Sequence, residues 1–304
     1  MKYYDSIEQY NAEPCAVMIG KFDGLHLGHR ALISAMKEQS EELSKVIMSF
    51  VMNGSGTKEI LNEREKITLC EELGLDAYLH VEFDDKIRNM SPESFVSECL
   101  HKKLNAKAVY VGSNFRFGKN RAGDTDILQK LCGEFGIKVV VIPGITVHGI
   151  PVSATEIRKK ICSGDMREAS KLLGIPYFVS GTVMKGRQLG RTMKFPTLNL
   201  MPEKEKILPP NGVYMTETVI NGRKYPSVTN VGTKPSVTDE MTVFAETHLL
   251  HFPKEEEPGY GSEIRVEFLD FIRPERKFGS IEELYMQIEQ DVRQVRAGFE
   301  NKSV

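Results

Sequence analysis

The chain has no C-x-x-C pair, no internal repeat, no low-complexity segment and no block of like charge. Nor does it contain an apolar run near the roughly 18 residues that a membrane helix needs. Five cysteines, an odd number, stand far apart at 15, 70, 99, 132 and 162. They read as small buried side chains in a reducing compartment, not as a disulfide framework or a structural zinc site. The 40 basic and 42 acidic residues are interspersed, for a formal net charge of −2. That balance excludes a nucleic-acid or membrane-surface protein. The opening MKYYDSIEQYNAEP lacks the charged-then-apolar layout of a signal peptide. A soluble, cytoplasmic protein is expected, a monomer or weak homo-oligomer.

A length of 304 residues exceeds what one hydrophobic core usually serves, so two domains are expected. Over residues 1–176 short apolar runs alternate with amphipathic stretches: CAVMIG (15–20), KVIMSF (45–50), AYLHVEF (77–83), AKAVYVG (106–112) and IKVVVIP (137–143). This rhythm predicts an α/β domain with a parallel sheet. After His29, Leu32, Ala35, Met36 and Leu43 are predicted on one face of a crossover helix. Over residues 177–304 the texture becomes alternating β-type runs, including YFVSGTVM (177–184), GVYMTETVI (212–220), MTVFAETHLL (241–250) and SEIRVEFLDFI (262–272). Turn signals such as Asn221-Gly222 separate them, which predicts an antiparallel barrel or sandwich. A terminal helix follows, with Ser280 and Glu283 as a capping box and Ile281, Leu284, Ile288, Val292 and Val295 as its apolar stripe.

Directly after the first predicted strand comes Gly20-Lys21-Phe22-Asp23-Gly24-Leu25-His26-Leu27-Gly28-His29. A strand-to-helix loop and a helix N-terminus both present N–H groups to an anion, and Gly20, Gly24 and Gly28 let the backbone approach a polyphosphate. His26 and His29, three apart, lie on one side of a nascent helical turn, where imidazole N–H groups can neutralise charge on a phosphorus. A tight turn with a capping histidine and a pair of metal ligands are the alternatives. The string resembles the G-x-F-D-x-x-H-x-G-H motif of the nucleotidyltransferase superfamily, whose members attack the α-phosphate of a nucleotide and release pyrophosphate. On that resemblance Gly20, Phe22, Asp23, Gly24 and Gly28 bind ATP, and His26 and His29 are catalytic.

Val152-Ser153-Ala154-Thr155-Glu156-Ile157-Arg158 begins another helix, with Ser153 and Glu156 as a candidate capping box. It is also similar to the superfamily's I-S-S-T-x-I-R motif, which implies that Ser153 and Thr155 bind ATP and that Arg158 acts on the α-phosphate. Val111-Gly112-Ser113-Asn114-Phe115-Arg116-Phe117-Gly118-Lys119 places a basic, aromatic loop at the carboxyl end of a strand, where α/β sheets bind ligands. It resembles a segment of the FAD synthetase branch, and the resemblance implies flavin contacts by Asn114, Phe115 and Arg116. One stretch departs from that family: its T-F-x-P-H-P is replaced by Ser49-Phe50-Val51-Met52-Asn53-Gly54-Ser55-Gly56.

In the second half, Gly186 to Thr192 lacks the spacing of a P-loop and precedes a β run, not a helix. Gly186, Gly190 and Arg191, followed by Phe195-Pro196-Thr197-Leu198-Asn199, resemble instead the riboflavin kinase signature. There a glycine-rich arch covers ATP and a Pro-Thr-x-Asn turn holds Mg²⁺, here with the oxygen ligands of Thr197 and Asn199 that a hard cation prefers. Taken alone the five residues would also suit a plain edge turn. Glu246 matches the family's E-x-H-L-L strand, whose glutamate accepts the proton of the attacking alcohol. Asn230-Val231-Gly232-Thr233-Lys234-Pro235 and Ile272-Arg273-Pro274-Glu275-Arg276-Lys277-Phe278 match further family stretches, with Arg273 an implied flavin contact. Together these motifs resemble the bifunctional riboflavin kinase/FAD synthetase family, which implies riboflavin, FMN, FAD and ATP as small-molecule partners and Mg²⁺ as cofactor. A kinase with a weak or silent transferase domain, a flavin-binding sensor without chemistry, and a transferase acting on another phosphate acceptor such as phosphopantetheine are the alternatives.

Overall fold

A computed structural model describes residues 1–52, 56–184, 195–235, 241–250, 252 and 260–301. The chain divides into two compact units, Met1–Ala154 and Thr155–Val304.

The first unit is a six-stranded, all-parallel sheet in the order β1-β4-β3-β2-β5-β6. Its strands are β1 (Lys2–Tyr4), β2 (Cys15–Gly20), β3 (Ser44–Val51), β4 (Ala77–Glu82), β5 (Ala106–Gly112) and β6 (Lys138–Ile142). Between them run α1 (Leu27–Gln39), α2 (Glu63–Glu72), the short α3 (Asp85–Arg88) and α4 (Pro92–Ser94), a wider π-helical stretch (Phe95–Lys103) and α5 (Thr125–Gly133). Strand residues alternate between the faces. Val17, Ile19, Val46, Met48, Val109 and Val111 form one core with Phe95, Cys99, Leu128 and Cys132, while α1 covers β2 and β5 from the other side. Sheets with helices on both faces read as continuous apolar runs, which is why the five predicted strands are found. The edge strand β1, too short and polar to show a pattern, is not among them. Leu43 is not on α1: Ser40 ends the helix in a non-helical conformation, and Leu43 closes the turn that follows. Four cysteines are buried as expected, but Cys162 is exposed.

In the second unit a closed antiparallel barrel has the order β10-β13-β12-β11-β14-β9. Its strands are β9 (Tyr177–Met184), β10 (Leu198–Leu200), β11 (Gly212–Ile220), β12 (Arg223–Pro235), β13 (Met241–Leu249) and β14 (Glu263–Pro274); a small hairpin, β7 (Thr146–Val147) with β8 (Ile150–Pro151), belongs to the first unit. Closure removes the open edges that a lone antiparallel sheet would expose. Helices α6 (Ala154–Cys162), α7 (Met166–Leu173) and α8 (Ile281–Glu300) complete the unit. The expected boundary at 176/177 assigned α6 and α7 to the first domain. In the compact units above they lie with the barrel: α7 packs on β9 and β14, and Arg167 pairs with Asp270 at 2.5 Å.

Inside the barrel, five fully buried hydroxyls form a chain. Thr218 meets Ser227 (2.9 Å), Ser227 meets Thr216 (2.8 Å), Thr216 meets Thr229 (2.8 Å), and Thr229 meets Thr247 (2.9 Å). Each bond ties two strands in one register, because a one-residue slip would turn the hydroxyls outward. On the outer wall Val213, Met215 and Val228 pack against Val292 and Val295 of α8. Ser280 caps α8 by accepting from the Glu283 N–H, while the Glu283 carboxylate accepts from Gly279 instead of closing a reciprocal box. Ile281 is 70% exposed, so the apolar stripe begins one turn later than the sequence indicated: the first turn of α8 projects past the wall it covers.

Candidate functional site

In the first unit the chain runs from β2 to β3 on one side and reaches β5 on the other. The crevice at the carboxyl ends of β2 and β5 is therefore the switch point at which such sheets bind ligands. The loop 20–29 leaves β2 there, and the loop 112–124 leaves the adjacent β5. The first loop turns sharply: Phe22, Gly24 and Leu25 all have positive φ (49°, 89° and 42°). A Cβ on Gly20 would lie 3.2 Å from the Phe22 ring, and one on Gly28 3.2 Å from the His26 imidazole. Asp23 braces the loop, its Oδ1 accepting from the Ile60 N–H at 2.8 Å and the Leu61 N–H at 3.4 Å.

His26 is the N-cap residue of α1 and His29 lies in its first turn. Their rings stack with centroids 3.7 Å apart and planes 16° from parallel, and Phe22 meets His29 edge-on at 5.1 Å. The Nδ1 atoms of both rings are buried without a hydrogen-bond partner among the described residues. An unsatisfied buried polar atom costs about 1–3 kcal/mol. Burial pushes the His26 imidazole down to about 4, and burial together with the His26 charge holds His29 well below the ordinary range. Both rings are neutral near pH 7. The unfolded chain then binds more protons than the folded one between about pH 4 and 6.5, and stability falls as pH is lowered through that window. His26 alone contributes on the order of 3 kcal/mol to this loss. His26→Gln is expected to flatten the acid limb of a melting-temperature profile; an unchanged limb would place the proton uptake elsewhere.

Behind β5, Phe117 and Gly123 exchange backbone hydrogen bonds of 3.0 and 2.9 Å, folding 112–124 into a tight loop. A Cβ on Gly123 would lie 2.4 Å from the Phe117 ring, which only glycine avoids. Phe115 stacks on Phe117 at 5.7 Å, and Arg116 pairs with Asp124 at 3.2 Å, the residue that caps α5. Asn114 and Arg116 are exposed and Phe115 half-buried. Ser153 immediately precedes α6; Thr155 and Arg158 lie on its first two turns, with Thr155 exposed and Arg158 half-buried.

In the barrel unit, register brings the second group together. Glu246 of β13 pairs with Asn199 of β10 on one side and Asn230 of β12 on the other. Thr247, its neighbour, points into the hydroxyl chain, so Glu246 faces outward with Val213 and Val228, toward the side that receives α8. Asn199 lies in β10 opposite Glu246, and Thr197 precedes that strand by one residue. A threonine hydroxyl and an asparagine carbonyl are oxygen ligands that suit Mg²⁺ while leaving positions for water and phosphate. The last two residues of the motif, Leu198 and Asn199, belong to the barrel strand β10. Gly186, Gly190 and Arg191 lie outside the described residues, as do Asn53–Ser55 of the stretch replacing Pro-His-Pro.

Arg273 clamps Asp291 of α8 with bonds of 2.9 and 3.1 Å from Nε and 2.7 Å from Nη2. Its guanidinium thereby ties β14 to the helix. Beside it opens a cleft of about 490 Å³ lined by Arg276, Lys277, Phe278, Met286, Gln287 and Gln290, among others. Two residues of the site carried no role in the sequence reading: His248, whose Nδ1 donates to the Pro196 carbonyl at 2.9 Å, and Asn230. Both stand in quoted motifs, but only pairing across strands shows what they face.

Residues 173–299 match the riboflavin kinase family, and residues 8–156 match the FAD synthetase family. The bifunctional riboflavin kinase/FMN adenylyltransferase of Escherichia coli K12 is 34% identical, over 97% of this chain and 96% of its own. The chain belongs to the bifunctional riboflavin kinase/FMN adenylyltransferase family. The Haemophilus influenzae member is 31% identical over 94% of each chain. A solved structure described as a macrolide-efflux protein from Streptococcus pneumoniae has the same fold throughout, with a TM-score of 0.84 at 26% identity, over 97% of this chain and 98% of its own. Among the described residues no helix is long and apolar enough to cross a membrane.

Proposed function

We propose that the chain carries both activities of its family: phosphorylation of riboflavin to FMN by ATP in the barrel unit, and adenylylation of FMN to FAD, with release of pyrophosphate, centred on the parallel-sheet unit. The observation that carries the kinase reading is the register row Asn199–Glu246–Asn230, which sets one carboxylate beside the oxygen ligands of the Pro-Thr-x-Asn segment. The riboflavin 5′-hydroxyl attacks the γ-phosphorus of ATP, and Glu246 takes the hydroxyl proton as the bond forms. Thr197 and Asn199 hold Mg²⁺, which when bound neutralises charge on the phosphate oxygens. Gly186, Gly190 and Arg191 cover the nucleotide. The cleft between the β14 end and α8 takes the flavin ring against Phe278, with Arg273 supporting it by fastening the helix.

For adenylyl transfer an oxygen of the FMN phosphate attacks the α-phosphorus of a second ATP. The nucleophile comes with the substrate, so the protein supplies positioning and electrostatics. The neutral N–H groups of His26 and His29 donate to the α-phosphate oxygens, on the loop that Gly20, Phe22, Asp23, Gly24 and Gly28 shape. Ser153 and Thr155 bind the nucleotide, Arg158 stabilises the α-phosphate, and Asn114, Phe115 and Arg116 contact the flavin. A cytoplasmic enzyme, monomeric or weakly self-associating, completes the reading.

The missing Pro-His-Pro supports a second reading, in which only the kinase is active. Incubation with magnesium ATP and either riboflavin or FMN, followed by chromatography of the products, separates the cases. FMN from riboflavin and FAD from FMN are expected, both lost on chelation of Mg²⁺. FMN without FAD would leave the kinase alone, and flavin binding without turnover would leave a sensor.

A further inference from the structure

We propose that His248 is a positioning residue of the kinase reaction, whose imidazole holds Phe195-Pro196-Thr197 where Thr197 and Asn199 take the metal. The inference rests on reading that segment as the magnesium site. His248 lies on β13 two residues beyond Glu246, hence on the same outer face. Its Nδ1 is 2.9 Å from the Pro196 carbonyl oxygen; since a carbonyl only accepts, this nitrogen carries the hydrogen. The ring also meets Phe195 edge-on at 5.3 Å, and Phe195 packs in turn on Tyr285 of α8 at 5.5 Å.

The backbone pairing explains why such a hold is needed. The ladder between β10 and β13 begins at Leu198, opposite Thr247, so main-chain pairing with β13 does not reach Thr197. The bond from His248 extends the attachment of this strand to β13 by two residues and fixes the peptide that carries the Thr197 N–H. A hydroxyl ligand placed by an unanchored peptide would have to be ordered each time the metal binds. An N–H at Nδ1 is present in the neutral ring and in the cation alike, so the hold is independent of pH. That separates it from proton chemistry by the same imidazole, which sits beside Glu246.

The test uses the full-length protein and measures riboflavin phosphorylation against free Mg²⁺ at saturating ATP and riboflavin. His248→Ala is expected to raise the half-saturating Mg²⁺ concentration about 10- to 100-fold, the usual effect of losing an outer-shell partner. His248→Asn, whose amide can donate to the same carbonyl, is expected to recover most of that loss with an unaltered pH profile. FMN adenylylation and thermal melting report on the fold. Unchanged Mg²⁺ dependence in His248→Ala would overturn the proposal. So would an Asn variant as impaired as the Ala variant with a shifted pH profile, or loss of both activities with a lowered melting temperature in both. Asn199→Ala separates the premise: if it leaves Mg²⁺ dependence unchanged, the metal reading itself falls, whereas an effect there without one at His248 removes only the positioning role.

Discussion

Glu246→Gln is expected to lower the turnover of riboflavin phosphorylation by about 10²–10⁴, the range that positioned acid–base catalysis supplies. The substitution keeps the shape of the side chain and its place between Asn199 and Asn230, so the Michaelis constants for ATP and riboflavin should change little. What disappears is the acceptor for the hydroxyl proton. An effect on turnover with little on substrate binding marks an interaction made in the transition state. Adenylylation of added FMN depends on the other set of residues and should continue at the native rate. Kinase turnover within a factor of two of the native enzyme would remove Glu246 from the role of base.

His29→Ala should reduce FAD formation from FMN by about 10²–10³, as expected when a preorganised donor to a charged transition state is deleted. The ring it removes is fully engaged, stacked on His26 and edge-on to Phe22. Some loss of stability is therefore expected, since the half-buried ring gives up both contacts. Riboflavin phosphorylation serves as the control: a specific loss of FAD formation fits the proposed donor, and parallel loss of both activities would assign His29 to folding. His29→Gln retains an N–H donor without the flat ring and should fall between the two.

These outcomes trace back to different levels of the molecule. The apolar runs of β2 to β6 and the alternating runs of β9, β11, β13 and β14 were legible because burial on two faces or one leaves its own period in the sequence. The short β1 and β10 carry too few residues for any period, and Leu43 and Ile281 fitted a helical spacing that a terminated helix and an overhanging first turn did not honour. The Gly20–His29 loop and the Pro-Thr-x-Asn segment are local: each lies within ten residues, so its resemblance to a family motif was legible, while spacing alone left a turn or a cap open.

The amino-acid sequence by itself determined the two kinds of domain, the family resemblance and the residue types available for phosphoryl and adenylyl transfer. Tertiary structure decided which of them meet. The row Asn199–Glu246–Asn230 joins residues far apart in the chain through strand register, and a buried hydroxyl chain on the opposite side of the barrel wall holds that register. The depressed imidazoles of His26 and His29 follow from burial, with the His26 charge adding to it at His29, and H-x-x-H spacing does not contain that burial. Arg273 reaches Asp291, and His248 reaches Pro196, because α8 and β10 close on the wall that carries them. Spacing along the chain is local, whereas desolvation and cross-strand pairing depend on what the rest of the fold brings alongside.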